Sequence, residues 1–272
     1  MSRISQCFAK LKLDGKTALI PYITAGDPEP WVTVPMLHAF VAAGANLLEL
    51  GVPFSDPMSD GPAIQKACER ALKNDVSIQK VIEMVAQFRE KDKITPVILM
   101  GYANPLEAMG YEQFAEQAEK AGVDGVLTSD MPPEESDIFL PIMNKHGIDT
   151  IFLVAPTTTK ARMTSIAKHA KGFIYYVSLK GVTGSASIDA SELGEKLNIL
   201  RQYTDLPVGV GFGIRDGESA ALVSEVADGV VVGSTLVNCI AEHEKTPELL
   251  PETVSALVAE MRVAIDIKDM KK

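Results

Sequence analysis

Asn46 to Pro62 read NLLELGVPFSDPMSDGP, and this stretch indicates both the type of strand in the fold and the place of its chemistry. A short apolar run, residues 46–50, is typical of a strand and carries one acid, Glu49, near its C-terminal end. A loop rich in Pro, Gly and Asp follows and ends in a second acid, Asp60. An acid inside an apolar strand is costly to bury unless it is partnered or used in chemistry. We therefore interpret the two acids either as acid/base and electrostatic groups of one catalytic site, or as a structural ion-pair member and a helix cap.

The same kind of apolar run recurs eight times, and each run is followed by a helical pattern. Most runs are continuously apolar, which is typical of parallel strands covered on both faces. Several helices stop at a glycine just before the next strand, as at Gly44 and Gly122. Eight such units in order predict an α/β protein, a closed (β/α)8 TIM barrel, with a doubly wound open sheet as the alternative. The predicted strands are Ala18–Tyr22, Leu47–Gly51, Val97–Tyr102, Gly125–Ser129, Ile151–Ala155, Phe173–Ser178, Val208–Phe212 and Gly229–Val232.

The length of 272 residues fits one barrel of this kind. We find no linker, low-complexity segment or repeat beyond the βα unit, so the prediction is one domain over residues 1–272. Two further helices are predicted to flank the barrel at its N- and C-termini, near Ser2–Lys12 and Pro247–Ile267.

The charge and the cysteine content indicate which kinds of binding partner and which cellular compartment to expect. The formal net charge of −10 disfavours nucleic acid or an anionic membrane as a partner, so an anionic substrate would be held by local backbone dipoles. The three cysteines, Cys7, Cys68 and Cys239, are far apart, which favours free thiols in a reducing cytosol. No signal-peptide pattern and no apolar run of membrane-spanning length occur, so we predict a soluble cytoplasmic protein.

The C-terminal ends of the predicted strands form the end of a TIM barrel where chemistry takes place. The residues there are mainly apolar and aromatic, which suits a flat aromatic ligand, with Glu49 as the ionisable group that faces it. Ordinary barrel-core residues are the alternative interpretation of the apolar members. The predicted substrate-binding residues at this mouth are Tyr22, Met100, Tyr102, Leu127, Ser129, Leu153, Tyr175, Phe212 and Val231.

Glycine-rich loops follow the last three strands, and they predict a phosphate site. They are residues 181–185, 209–214 and 233–235. Glycine lets backbone N–H groups approach phosphate oxygens, and a helix N-terminus adds a favourable dipole. The stretch Lys180 to Ala190 is interpreted either as a mobile lid or as a loose surface loop. We assign no catalytic role to the histidines, and no spacing predicts a metal site or a nucleotide P-loop.

Six motifs at the ends of six predicted strands share their composition and order with one known family. They are PYITAGDP (residues 21–28), ELGVPFSDPMSDGP (49–62), MGYANP (100–105), DMPPEES (130–136), GVTG (181–184) and GFGI (211–214). From about residue 18 to residue 243 the chain resembles the tryptophan synthase alpha chain family.

The resemblance implies a lyase that cleaves indole-3-glycerol phosphate to indole and glyceraldehyde 3-phosphate, without a cofactor in this chain. It implies Glu49 as the general acid/base and Asp60 as the acceptor of the indole N–H, with Tyr175 beside the glycerol portion. It also implies that Thr183, which we count among the substrate-binding residues, bonds Asp60 when the lid closes. The predicted phosphate-binding set, which joins the implied donors to the glycine pattern, is Gly184, Gly211, Gly213, Gly233 and Ser234.

The resemblance further implies a partner, a pyridoxal-phosphate-dependent beta chain in an αββα complex, to which indole passes through a tunnel. The implied contact surface comprises loop residues 53–60 together with Asn104, Pro105 and Pro132.

Two other functions are consistent with the same barrel. The first is a Schiff-base aldolase that uses Lys180, although a lysine in a loop beyond the strand is usually solvated and keeps a high pKa. The second is a non-catalytic subunit that only activates a beta chain, although such a subunit would need the loops and not the two acids.

Overall fold

Eight parallel strands close into a barrel in the computed structural model, which describes residues 1–177, 189–211 and 213–271. Each strand pairs with its neighbours in the sequence, and the last strand closes against the first with Ala18 opposite Gly229. This topology confirms the predicted (β/α)8 TIM barrel and excludes the open sheet. The strands are β1 (Ala18–Thr24), β2 (Leu48–Gly51), β3 (Val97–Gly101), β4 (Gly125–Thr128), β5 (Asp149–Val154), β6 (Ile174–Val177), β7 (Val208–Gly211) and β8 (Gly229–Val232).

The described residues form twelve α-helices around the barrel. The first and the last confirm the two predicted flanking helices, and two helices each lie between β2 and β3 and between β3 and β4. None of the helices in the described ranges combines the length and the apolar character needed to cross a lipid bilayer. The helices are α1 (Arg3–Leu13), α2 (Pro30–Ala42), α3 (Pro62–Lys73), α4 (Ile78–Lys91), α5 (Ala103–Met109), α6 (Tyr111–Ala121), α7 (Phe139–Lys145), α8 (Lys160–His169), α9 (Ala190–Leu200), α10 (Gly217–Ser224), α11 (Ser234–Glu242) and α12 (Leu250–Asp269).

Local sequence signals set where many of these helices begin and end. The Ser77 hydroxyl accepts the N–H of Lys80 at the start of α4, and Asp189 accepts two N–H groups at the start of α9. Such caps satisfy N–H groups that have no partner within the helix. Gly122 ends α6 in the left-handed region at a φ of +85°, as the sequence predicted for a glycine before a strand.

Side chains on the strands alternate between two buried surfaces, which explains the continuously apolar runs. One set faces the ring of helices: Leu48 and Leu50 of β2 belong to the large cluster that includes α2, α4 and α6. The other set faces the barrel interior. Both faces of each strand are therefore removed from water, as expected for parallel strands. The interior cluster contains Ala18, Ile20, Leu47, Ile98, Leu127, Ile151, Phe173 and Val231, with Met100, Leu153 and Tyr175 packed against it.

Helix α1 closes the N-terminal end of the barrel, and we call this closure the floor. Its buried residues Ile4, Phe8 and Leu11 belong to the same cluster as the interior side chains of the strands. The ring of Phe8 lies 5.6 Å from the ring of Phe173, centroid to centroid. The helix therefore fills the end of the barrel opposite the predicted site.

A buried ionic network ties the floor to the strands. The Arg89 guanidinium donates to Asp124 Oδ2 at 2.6 Å and to the backbone carbonyls of Gly122 and Thr95. The other carboxylate oxygen of Asp124 accepts from Arg3 of α1 at 2.7 Å. Because each buried charge has an opposite charge or a dipole beside it, the cost of its burial is offset.

We expect Arg89→Met to lower the free energy of unfolding by about 3 kcal/mol or more, because the change leaves buried acceptors without their donor. Urea denaturation followed by circular dichroism measures the change. The matched control is Lys120→Met, which removes an ion pair with Glu116 whose side chains are 72% and 59% exposed. That control should alter stability by less than about 0.5 kcal/mol. Equal effects of the two changes would contradict a special role for the buried network.

Candidate active site

Glu49 lies at the mouth of the barrel, on β2, and is only 1% exposed. Both of its carboxyl oxygens are buried, and neither has a hydrogen-bond partner among the described residues. Burial raises the pKa of Glu49 to about 8, and the negative charge of Asp60 contributes further. A carboxyl group in this state holds a proton near neutral pH and can give it up, which is the property that acid/base catalysis requires.

Asp60 lies on the loop between β2 and α3, residues 52–61, which we call loop 2. Its Oδ2 accepts a hydrogen bond of 2.9 Å from the Tyr102 hydroxyl. The Gln65 side chain donates to the backbone carbonyl of Asp60 at 2.8 Å. Burial raises the pKa of Asp60, and the hydrogen bond from Tyr102 opposes that shift. The two acids thus have different environments: one has a donor and the other has none among the described residues.

Tyr22 lies across the mouth between the acids and the last strand. It stands opposite Glu49 in the pairing of β1 with β2, and its hydroxyl lies 3.2 Å from the Thr24 hydroxyl. A Cβ on Gly51 would overlap the Tyr22 hydroxyl, and a Cβ on Gly233 would contact its ring at 3.7 Å. The absence of a side chain at Gly51 therefore makes room for the tyrosine.

Tyr175 occupies the opposite wall in the same way. A Cβ on Gly211 of β7 would overlap its hydroxyl. Burial raises the pKa of Tyr175, and the charges of Glu49 and Asp60 raise it further, so the hydroxyl is within electrostatic reach of both acids. The predicted wall residues Met100, Leu127, Leu153 and Val231 belong to the same interior cluster as Tyr175, so all of them line the barrel interior.

The turn from β8 into α11 starts a helix without a side-chain cap among the described residues. Gly233 is the N-cap residue and Ser234 begins the helix. Gly213 has a φ of +81°, a conformation that favours glycine. The Thr235 hydroxyl donates to the Ile214 carbonyl at 2.8 Å and so joins this turn to the loop after β7. Free helix N-terminal N–H groups attract anions.

A buried ion pair holds the loop after β1 against α3. Arg70 donates two hydrogen bonds to the carboxylate of Asp27, at 2.6 and 2.8 Å, and Asp27 is fully buried. The Asn74 side chain donates to the Pro28 carbonyl at 2.7 Å. Because loop 2 leads directly into α3, this pair also fixes the helix that follows Asp60.

Two predicted residues lie just beyond the strands to which the sequence analysis assigned them. Tyr102 is the N-cap residue of α5, because β3 ends at Gly101. Ser129 follows β4, and its hydroxyl is buried without a partner among the described residues. Phe212, Thr183, Gly184 and Lys180 lie outside the described residues, as does most of the predicted lid. Among the residues that the structure describes, no group of three His, Cys, Asp or Glu side chains is arranged to hold a metal.

Known proteins match this chain over nearly its full length. The sequence profile described as "Tryptophan synthase alpha chain" matches residues 8–266. The chain belongs to the tryptophan synthase alpha chain family. The tryptophan synthase alpha chain of Thioalkalivibrio sulfidiphilus is 62% identical over 266 residues, which are 98% of this chain and 100% of that protein.

Solved structures of the family have the same fold. The crystal structure of tryptophan synthase subunit alpha from Legionella pneumophila superposes with a TM-score of 0.92 at 47% identity, covering 98% of this chain and 99% of that one. A chain in the crystal structure of a tryptophan synthase complex from Pyrococcus furiosus superposes with a TM-score of 0.80 at 37% identity, covering 90% and 97%. Membership in the family confirms the resemblance found in the motifs and the predicted class of enzyme, a carbon–carbon lyase of tryptophan synthesis.

Sequence reasoning missed several residues that shape the site. Gly51 was assigned to a strand and a motif but not to the packing of a tyrosine, and the role of Thr235 in joining two loops was not predicted. Asp27 stands inside a recognised motif, but its partner Arg70 lies 43 residues later, on a helix with an ordinary amphipathic pattern. The one signal available in the sequence was an acid, Asp27, within a loop motif. That signal does not identify Arg70 as its partner.

Proposed function

We propose that the chain is the alpha subunit of tryptophan synthase and that it cleaves indole-3-glycerol phosphate to indole and D-glyceraldehyde 3-phosphate. The observation that carries this proposal is Glu49, a buried carboxyl at the barrel mouth with a pKa of about 8, whose two oxygens have no partner among the described residues. A group that both donates and accepts a proton at neutral pH meets the demand of a retro-aldol cleavage.

The reaction moves one proton onto the substrate and one off it. Protonated Glu49 gives its proton to C3 of the indole ring, which places positive charge on the ring nitrogen. The resulting carboxylate takes the proton from the glycerol hydroxyl. The electrons of that O–H bond form the aldehyde carbonyl as the C–C bond breaks, and the electrons of the C–C bond neutralise the ring. Glu49 ends protonated, ready for another turnover.

Asp60 is suited to the charge that develops on the indole nitrogen. Its carboxylate accepts the indole N–H and stabilises the positive charge of the protonated ring. The apolar wall of Met100, Leu127 and Leu153 receives the ring itself. A fixed negative charge beside an apolar slot favours the charged intermediate over the neutral substrate.

The phosphate group of the substrate would bind at the turn into α11. Gly213, Gly233 and Ser234 supply backbone N–H groups there, and the helix dipole favours an anion. A Cβ on Gly233 would lie 3.7 Å from the Tyr22 ring, and Tyr22 stands opposite Glu49 in the β1–β2 pair, so Tyr22 lies between the turn into α11 and the acid. The glycerol portion of the substrate would then lie along Tyr22 and Tyr175.

The surface around the mouth supports docking of a beta chain in an αββα complex. Met58 of loop 2 is 78% exposed and Ile138 is 72% exposed, so this surface offers apolar contact area to a partner. Pro132 and Asn104 lie on the loop after β4 and on α5, which also follow strand ends. We propose that this surface binds the pyridoxal-phosphate-dependent partner, which receives indole from the mouth.

The experiment that tests the proposed function measures release of glyceraldehyde 3-phosphate from indole-3-glycerol phosphate. We expect slow release by the purified chain alone and a sharp rise when a beta chain is added. Borohydride trapping with substrate should leave no adduct, because a Schiff base on Lys180 is not part of this mechanism.

The alternatives would give different results. Release that depends on a borohydride-sensitive adduct would indicate the aldolase with Lys180. No release under either condition, together with stimulation of the beta reaction, would indicate a non-catalytic activator.

A further inference from the structure

Tyr102 connects loop 2 to the end of β3 through three contacts. Its hydroxyl donates to Asp60 Oδ2 at 2.9 Å and accepts from the Ser59 backbone N–H at 3.0 Å. Its ring packs against the Phe54 ring with centroids 5.4 Å apart and an interplanar angle of 32°. All three partners belong to loop 2, so one side chain holds the loop at its beginning and at its end.

The direction of these hydrogen bonds is fixed by chemistry. A backbone N–H can only donate, so the Tyr102 oxygen accepts from Ser59. The hydroxyl has a single proton, and it points to Asp60 Oδ2. Asp60 is therefore the acceptor at the end of a chain of two donors, an arrangement that favours its carboxylate form.

Other groups act on Asp60 from the elements packed around it. Burial works against its carboxylate form. The Tyr102 hydroxyl is the side-chain donor to this carboxylate among the described contacts. The titratable groups in electrostatic contact with Asp60 are Glu49 on β2, Tyr22 on β1, Cys68 on α3, Tyr175 on β6 and Tyr102 itself.

We propose that Tyr102 is a positioning residue. Its hydroxyl accepts a hydrogen bond from the Ser59 N–H and donates one to Asp60, and it so holds the Asp60 carboxylate as an acceptor beside Glu49. The proposal rests on the proposed function for its catalytic consequence. Tyr102 acts through Asp60, and the substrate ring is held by the interior wall. This role differs from the direct substrate contact that the sequence analysis predicted for Tyr102.

The test is Tyr102→Phe, which removes the hydroxyl and keeps the ring against Phe54. We expect kcat for cleavage to fall about 10- to 100-fold, since a hydrogen bond to a charged group is lost, with KM nearly unchanged. The pKa of Asp60 should rise, because the donor that opposes its burial is gone. The acid limb of the pH profile of kcat should therefore move to higher pH.

The matched control is Tyr111→Phe, the same chemical change on α6, where the ring packs edge-on against Phe139. It should change neither kcat nor the pH profile. A loss of activity in Tyr102→Phe that appears only in KM would overturn the proposal and indicate direct substrate binding. An unchanged acid limb would overturn it as well.

A second measurement does not depend on activity. Carbon-13 NMR of aspartate carboxyl groups, with Asp60→Asn to assign the signal, gives the titration midpoint of Asp60 in the free chain. We expect a higher midpoint in Tyr102→Phe than in the natural chain. If the natural chain cleaves no substrate, the proposed function fails, and the NMR titration still decides the role of Tyr102. An identical midpoint in both proteins would contradict it.

Discussion

Replacing Glu49 with glutamine should lower the turnover of indole-3-glycerol phosphate by at least roughly two orders of magnitude, because the side chain can no longer donate or accept a proton. Substrate should still bind, since glutamine has the same shape and the wall and phosphate turn are unaltered. Steady-state kinetics and a direct binding measurement separate the two effects. Glu90→Gln, an exposed change on α4, is the matched control and should keep full turnover.

The pH profile gives Glu49 a second, independent test. A folded-state pKa of about 8 means that the carboxyl is mainly protonated at pH 7. The first proton transfer needs that proton, so kcat/KM of the natural chain should fall as the pH rises through about 8. The residual activity of Glu49→Gln should lack this limb. Near-normal turnover in the variant would remove Glu49 from the reaction.

Asp60→Asn should lower turnover by about 10²–10³-fold, comparable to the loss of one preorganised electrostatic group at a developing charge. Asparagine can still accept the indole N–H, but it carries no charge to stabilise the protonated ring. Single-turnover kinetics should locate the loss in the chemical step, with substrate binding little changed.

The control for Asp60 is Asp205→Asn, an exposed change just before β7 at the opposite end of the barrel. It should behave like the natural chain. Unchanged turnover in Asp60→Asn would mean that this acid only caps the loop.

Strand positions and the two acids could be predicted because their signals are local. A continuously apolar run shows a doubly covered strand within five residues, and an acid inside such a run, as at Glu49, is conspicuous. Motifs then place neighbouring strand ends at one mouth, because parallel strands share their direction. The register that sets Tyr22 opposite Glu49 is visible only in the structure, because the apolar pattern of one strand does not align it with the next.

The rest depends on contacts between residues far apart in the chain. The hydrogen bond between Tyr102 and Asp60 joins side chains 42 residues apart, and nothing in either local pattern indicates it. Gly211 was predicted to bind phosphate and Gly51 was part of a motif, and neither local pattern shows that a tyrosine hydroxyl packs over each glycine. The roles predicted for the phosphate turn and the apolar wall remain predictions, since they concern a bound substrate.

The floor made by α1 determines where substrate can enter the barrel and where products can leave it. Ile4, Phe8 and Leu11 occupy the N-terminal end of the barrel, and Arg3 anchors the helix to Asp124. The N-terminal end of the barrel is thus closed, so substrate must enter and both products must leave at the mouth, where loop 2 lies. A partner bound at the mouth would cover the route by which indole leaves. Capture of indole by that partner would then follow from the position of the barrel opening.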